Sequence, residues 1–512
     1  MSEPMDAPGR VPAYTRTFFG HPFGLSTLFI TEMWERFSFY GIRPLMILYM
    51  TAAMASGGFG MERTQAAAIV GIYAGSVYIS SLPGGWVADR LLGLRRAIML
   101  GAVLISAGHI SIGLSSFAGT RTPFFLGLIL IVLGTGLLKP NISAIVGDLY
   151  PEGGARRDAG FSIFYMGINT GSFLGFLVAG FLGEKVGWHF GFGAAGVGML
   201  LGLATFATRA KKTLGSLGEE PTKHPDPVVQ AKKERTAKII TGTGLAILVA
   251  VILLAVTGIL PLNPEKIAQN MTYVLVGVAV AYFGYLFLLG GLTSEEKKRI
   301  AVIAILFVAA AIFWSAFEQA PTSLNLFARD FTERVIFGWE VPSTWFQTIN
   351  ALGIIVLAPF FAALWTRLGP RDFSPPFKFA MGLFFAGLGF VVMILAANLV
   401  VGSGGTLKVS PMWLVGSYIF QTIGELCLSP VGLSSMTKLS PRRFVGQMMG
   451  IWFLASAVGN LIGGLVGGHV DPEKLEQMPQ LFIYTAGALL VAALLLGALT
   501  PVIKKYLHRR TT

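Results

Sequence analysis

Glu32, Glu35, Arg36, Tyr40 and Arg43 fall at i, i+3, i+4, i+8 and i+11 inside an otherwise apolar stretch. That spacing places all five on one face of a helix. Two carboxylates beside a guanidinium can exchange a proton, because burial resists ionisation of a carboxyl group and a neighbouring cation reverses that resistance. Arg36 and Arg43 stand two turns apart, about 10 Å along the axis. Three more ionisable residues interrupt apolar stretches further on: Lys139, Glu318 and Glu425. Positive charge thus comes from the amino-terminal half of the chain and negative charge from Glu318 and Glu425 in the carboxy-terminal half. This polarity complements a zwitterionic solute with one carboxylate and one ammonium. A charge exposed to hydrocarbon is costly, so such residues line polar cavities and mark function.

The elements that must position these residues are membrane spans. Of 512 residues, 54% are hydrophobic and 13% charged, against about 25% charged in ordinary soluble domains. A water-facing surface cannot be built from so little polar sequence, and the lipid bilayer is the natural solvent and partner. Stretches of roughly 20 mainly apolar residues are long enough to cross it. They occur at 24–53, 65–89, 97–117, 122–148, 160–183, 188–208, 238–260, 271–292, 299–328, 343–366, 376–398, 410–436, 444–468 and 479–505. The net charge of +13 is scattered between these stretches without a long basic tract, which argues against nucleic-acid binding. Residues 1–20 lack the pattern of a cleavable signal peptide. Cys427 is the single cysteine; it rules out an intrachain disulfide and reads as a small buried hydrophobe. No spacing of Cys or His suits a metal, and no Ser/His/Asp set suggests an enzyme.

Basic residues orient the spans. With the amino end inside, the inside loops hold Arg90, Arg95 and Arg96; Arg156 and Arg157; Lys211, Lys212, Lys223, Lys232, Lys233 and Arg235; Lys297, Lys298 and Arg299; Arg367 and Arg371; Arg442 and Arg443. The tail adds Lys504, Lys505, Arg509 and Arg510, and the outside loops mostly carry one or two basic residues each. Both ends are therefore expected to be cytoplasmic. The polar stretch after the sixth span suggests a partition into a tail (1–23), a six-helix bundle (24–208), a linker (209–237), two inserted helices (238–292), a second six-helix bundle (293–506) and a short tail (507–512).

Two sequence runs make the chain recognisable. Gly85 to Arg96, with Asp89, Arg90, Gly93, Arg95 and Arg96, resembles the signature of the major facilitator superfamily in the loop after span two. The run Glu32-Met-Trp-Glu35-Arg36-Phe37-Ser-Phe39-Tyr40 resembles the Glu-xx-Glu-Arg-Phe-x-Tyr-Tyr motif of the proton-dependent oligopeptide transporter (POT/PTR) family. Phe39 departs from that motif by replacing a tyrosine, which removes a hydroxyl. Further matches are Gly134-Thr-Gly136-Leu-Leu-Lys139-Pro-Asn141, Phe164-Tyr165 through Asn169 to Ser172, Phe313-Trp314 to Gln319, Phe346-Gln347-Thr-Ile-Asn350, Gly424-Glu425 to Pro430, and Trp452. The resemblance covers roughly residues 25–500, and two extra spans between the halves are typical of prokaryotic members.

The resemblance implies an all-α membrane protein of the major facilitator superfamily fold, with two six-helix bundles, two extra helices and fourteen spans. It implies symport of di- and tripeptides, and of peptide-like molecules, with protons into a bacterial cell across the inner membrane. The implied coupling ion is the proton, with no cofactor or metal, and the chain is expected to work as a monomer. Glu32, Glu35, Arg36, Lys139 and Glu318 would couple protons. Arg36, Arg43 and Lys139 would hold the peptide carboxylate, Glu425 the amino terminus, and Asn169 and Asn350 the peptide backbone. Tyr40, Tyr78, Tyr165, Trp314, Ser429 and Trp452 would shape side-chain pockets, and Asp89 with Arg90 would anchor the cytoplasmic gate.

Each residue also has a plainer reading. Arg36 could neutralise Glu32 and Glu35, and Lys139 with Glu318 could form a static pair or a moving one. The asparagines could bond between helices, the aromatics could pack, and His109 in span three has no evident partner in the sequence. The nearest rival function is a carrier of the same fold for nitrate or a single amino acid.

Overall fold

The computed structural model describes residues 17–115, 120–369 and 372–507. The tail positions 1–16 and 508–512 and the loop residue Arg371 lie outside the described residues. Among the described residues the regular structure is helical apart from two short hairpins, Thr17–Phe18 with His21–Pro22 and Val335–Ile336 with Trp339–Glu340. In chain order the α-helices are α1 (Gly24–Thr51), α2 (Arg63–Val87), α3 (Leu94–Leu114), α4 (Thr122–Asp148), α5 (Gly154–Phe181), α6 (Trp188–Leu214), α7 (Pro227–Val256), α8 (Pro264–Leu288), α9 (Ser294–Phe317), α10 (Asn325–Phe331), α11 (Thr348–Leu368), α12 (Pro375–Gly402), α13 (Met412–Leu439), α14 (Val445–Gly467) and α15 (Gln477–Leu507).

Twelve helical segments among the described residues are long and apolar enough to cross a membrane. Helices α1 and α13 are the two long ones outside that set. They are also the helices that carry the Glu32–Arg43 stripe and Glu425, so the charge that suggests function is what lowers their apolar character.

Two expected boundaries shift. The polar stretch 209–237 is mostly helix: α6 continues to Leu214 and α7 starts at Pro227, leaving 215–226 between them. Asp226 caps α7 by accepting from the Val228 and Val229 N–H groups, and Pro227 fills the first turn, where its missing N–H costs nothing. The stretch 299–328 is not one helix. Helix α9 ends with Glu318 as its C-terminal cap, a π-turn covers Ala320–Leu324, and α10 follows. Apolar composition runs across this break, so hydropathy alone passes over it, while Pro321 marks it.

Packing divides the chain into two compact units. One joins the residues up to Ile42 with Ile79–Leu262, and the other joins Arg43–Tyr78 with Asn263–Thr512. In the first unit α3 and α4 pack backbone to backbone. A Cβ at Gly101 would lie 2.5 Å from the Gly134 carbonyl oxygen, and one at Gly127 would lie 2.5 Å from that of Gly108. The segment before α1 docks in this unit through His21 Nδ1 and Tyr150 Oη, 2.9 Å apart. Burial pushes the Tyr150 phenol up to about 12.

In the second unit α8 and α9 lie on α14, and α12 lies between α13 and α15. The amino-terminal half of α2 meets α14 closely: a Cβ on Gly71 would stand 2.8 Å from the Gly464 Cα. Ala68 of α2, Ala268 of α8 and Leu461 of α14 form a small apolar core with Ile72, Met271, Leu275 and Leu465 around it.

Candidate functional site

Of the α1 stripe, Glu32, Glu35, Arg36 and Tyr40 belong to the first unit. Arg36 donates through Nε to Glu35 and lies 3.2 Å from Glu32 Oε1. Glu32, Glu35 and Arg36 are all buried, at 1%, 0% and 2% exposure. The Thr135 hydroxyl of α4 donates to Glu35 Oε1 at 3.4 Å. The Arg36 guanidinium carbon sits 4.9 Å from the centre of the Phe39 ring, and Phe39 meets Tyr40 edge to face. Arg36 Nη2 and Glu32 Oε2 are buried with no hydrogen-bond partner among the described residues. The cluster therefore keeps one spare donor and one spare acceptor in a place where unmet hydrogen bonds are costly.

Lys139 of α4 is half-buried, near enough for its charge to act on Glu32. Asn169 of α5 is buried, and its amide N–H bonds the Tyr165 carbonyl one turn earlier. Tyr165 itself is 43% exposed. The expected gate pair lies in the π-turn Ala88–Leu92, with Asp89 exposed and Arg90 half-buried. Gly93 ends this turn at φ +79°, a backbone region that favours glycine. The segment after α6 latches onto the same turn. Arg95 donates from Nη1 to the Gly215 carbonyl at 2.7 Å and from its backbone N–H to Gly218 at 2.8 Å. The Thr222 N–H donates to the Asp89 carbonyl at 3.0 Å.

The second unit holds Glu318 and Glu425. Glu318 accepts from Arg43 Nη2 in a buried ion pair. This pair, whose members both belong to this unit, was not among the pairs expected from the sequence. Asn350 Nδ2 donates to Glu425 Oε2 at 3.0 Å and to Thr422 Oγ1 at 3.1 Å, so Asn350 anchors the carboxylate of α13. Glu318 stands near enough to Glu425 for its charge to be felt there. Trp314 Nε1 and Ser429 Oγ are buried and lack hydrogen-bond partners among the described residues. Trp452 is buried against Phe379, 6.2 Å between ring centres, and Tyr78 is half-buried near the end of α2.

Sequence reasoning missed Thr135, Thr422 and Asn325. Thr135 lies inside the Gly134–Asn141 run, and a hydroxyl between two glycines of an apolar helix was the available signal. Asn325 donates from Nδ2 to the Pro44 carbonyl at 2.9 Å. His109 is buried against α6, where a Cβ on Gly196 would meet its Cβ at 3.1 Å.

A sequence model of the POT family matches residues 95–480. The chain belongs to the POT family. It is 49% identical over 504 residues, 96% of each chain, to the peptide transporter YePEPT of Yersinia enterocolitica subsp. palearctica serotype O:3. It is 39% identical over 465 residues, 88% of this chain and 90% of the relative, to the di-/tripeptide transporter of Lactococcus lactis subsp. cremoris. A crystal structure of peptide transporter POT in complex with sulfate matches this fold with a TM-score of 0.87 at 44% identity, covering 96% of this chain and 97% of that one. This POT member is thus an all-α, multi-pass membrane protein with the major facilitator fold read from its sequence.

Proposed function

We propose that this POT protein is a secondary active symporter that carries di- and tripeptides, with protons, into the cell. It resides in the bacterial inner membrane with both termini cytoplasmic, and it works by alternating access as a monomer. The names of its relatives support the cargo. The observation that carries the mechanism is the buried Glu32–Arg36–Glu35 cluster with its spare Arg36 Nη2.

The chemistry is a competition for Arg36. While Glu32 and Glu35 are ionised, they hold the guanidinium. A proton on either one loosens that hold and frees Arg36 to take a peptide carboxylate, with Lys139 adding positive charge. The peptide ammonium is the natural partner of Glu425, which Asn350 keeps in place. Asn169 and Asn350 bind the peptide backbone. Tyr40, Tyr78, Tyr165, Trp314, Ser429 and Trp452 contact side chains, and aromatic walls accept varied ones because their contacts are weakly directional. Glu318 is a second proton-linked carboxylate, and its protonation releases Arg43. Asp89 and Arg90 hold the cytoplasmic gate. Each elementary charge moved inward gains about 2.3 kcal/mol per 100 mV of membrane potential.

The test is uptake of labelled dialanine and trialanine into proteoliposomes, with and without an imposed pH gradient. Accumulation above the external concentration only with the gradient is expected, together with insensitivity to excess nitrate. Nitrate competition, or equal uptake without a gradient, overturns the reading.

A further inference from the structure

Arg43 is followed by Pro44, and the boundary between the two compact units falls between Ile42 and Arg43. A proline has no N–H, so the helical bond back to residue 40 is missing and α1 is weakened at this turn. The break between α9 and α10 grips that weak turn twice. At one end of the break the Glu318 carboxylate takes the Arg43 side chain. At the other end Asn325 Nδ2 donates to the Pro44 carbonyl at 2.9 Å. Asn325 is fully buried, and its Oδ1 has no partner among the described residues. An asparagine that leaves an acceptor unmet in an apolar interior is costly, and apolar packing would be served better by leucine.

We propose that Asn325 is a positioning residue for the Arg43–Glu318 pair. It holds the Pro44 turn so that Arg43 meets Glu318, and the two contacts make and break together. In the proposed orientation this part of α1 lies on the extracellular side of Arg36, so Asn325 sets how readily the Pro44 turn parts from the α9–α10 break. The inference rests on the transport reading only for the meaning of the release. The contact itself makes a prediction independent of transport.

The experiment is a double-mutant cycle on the full chain with Asn325→Ala, Glu318→Gln and the double variant, and with Asn325→Ser as a variant that keeps a donor. External dialanine uptake gives KM and Vmax, and thermal unfolding gives Tm. If Asn325 acts through the pair, and release of the pair opens the extracellular end to peptide, Asn325→Ala lowers the external KM roughly threefold, because a binding-competent state populated more often raises apparent affinity. Vmax then changes by less than about twofold. In the Glu318→Gln background Asn325→Ala moves neither KM nor Tm appreciably, and Asn325→Ser resembles the parent. An equal shift of Tm in both backgrounds overturns the proposal and leaves only a packing role. If the parent shows no peptide uptake, the functional reading fails, and non-additive Tm values still decide the positioning role.

Discussion

The guanidinium of Arg36 lies 4.9 Å from the centre of the Phe39 ring, the position where the family motif carries a tyrosine. The aromatic face lies against a cation that Glu32 and Glu35 also hold through Nε. The departure from the motif therefore keeps the ring and discards only the hydroxyl. A desolvated cation–π contact contributes about 2 kcal/mol. Phe39→Leu is expected to lower thermal stability by about that amount, whereas Phe39→Tyr keeps the ring and stays within about 1 kcal/mol of the parent. Thermal unfolding in detergent measures both.

Arg43 and Glu318 form a buried ion pair across 275 positions of sequence. Breaking such a pair by removing one partner costs about 3–5 kcal/mol, because the other charge is left buried and unpaired. Arg43→Gln and Glu318→Gln should each destabilise the protein, and the double variant should be more stable than the sum of the two losses. Melting all four proteins checks this; additive losses would show that the pair does not couple.

Asn350 fixes Glu425 by a 3.0 Å hydrogen bond. Glu425→Gln removes the charge that would hold a peptide amino terminus. Wild-type uptake of labelled dialanine should be inhibited far better by dialanine than by N-acetyl-dialanine, and Glu425→Gln should erase most of that preference. Asn350→Ala keeps the Glu425 charge but removes its hydrogen-bonded anchor, and should weaken inhibition by dialanine in part.

The turn after α2 depends on Gly93. A Cβ there would stand 2.7 Å from the Glu219 carbonyl oxygen, on a backbone at φ +79°. A left-handed conformation costs a non-glycine residue about 1–2 kcal/mol, and the clash displaces the segment that bonds Arg95 and Asp89. Gly93→Ala should therefore lower Tm and increase protease cleavage within 215–222. Unchanged cleavage would show that the segment is not held by this turn.

The α1 stripe was legible because its residues are neighbours on one helix, where spacing alone decides which side chains share a face. The family motifs and the fold were legible for the same reason, as local patterns within single spans. The Arg43–Glu318 contact was not: Arg43 and Lys139 are both cations in the amino-terminal half, and no helical period pairs residues so far apart in sequence. The break after Phe317 was hidden by continuous apolar composition. Helix in 209–237 was hidden by its lysines, since a helix leaving the membrane has no apolar period to show there. Asn325 and Thr135 escaped notice because neutral polar groups in apolar helices most often bond their own backbone, as Thr31 does to Thr27 and Ser106 does to Ala102.

The proton competition for Arg36 is tested most directly by Glu35→Gln in proteoliposomes. Counterflow of labelled dialanine against unlabelled dialanine should persist, since Arg36 is freed rather than lost, while accumulation driven by an imposed pH gradient should disappear. Gradient-driven accumulation at the wild-type level in Glu35→Gln would contradict the account.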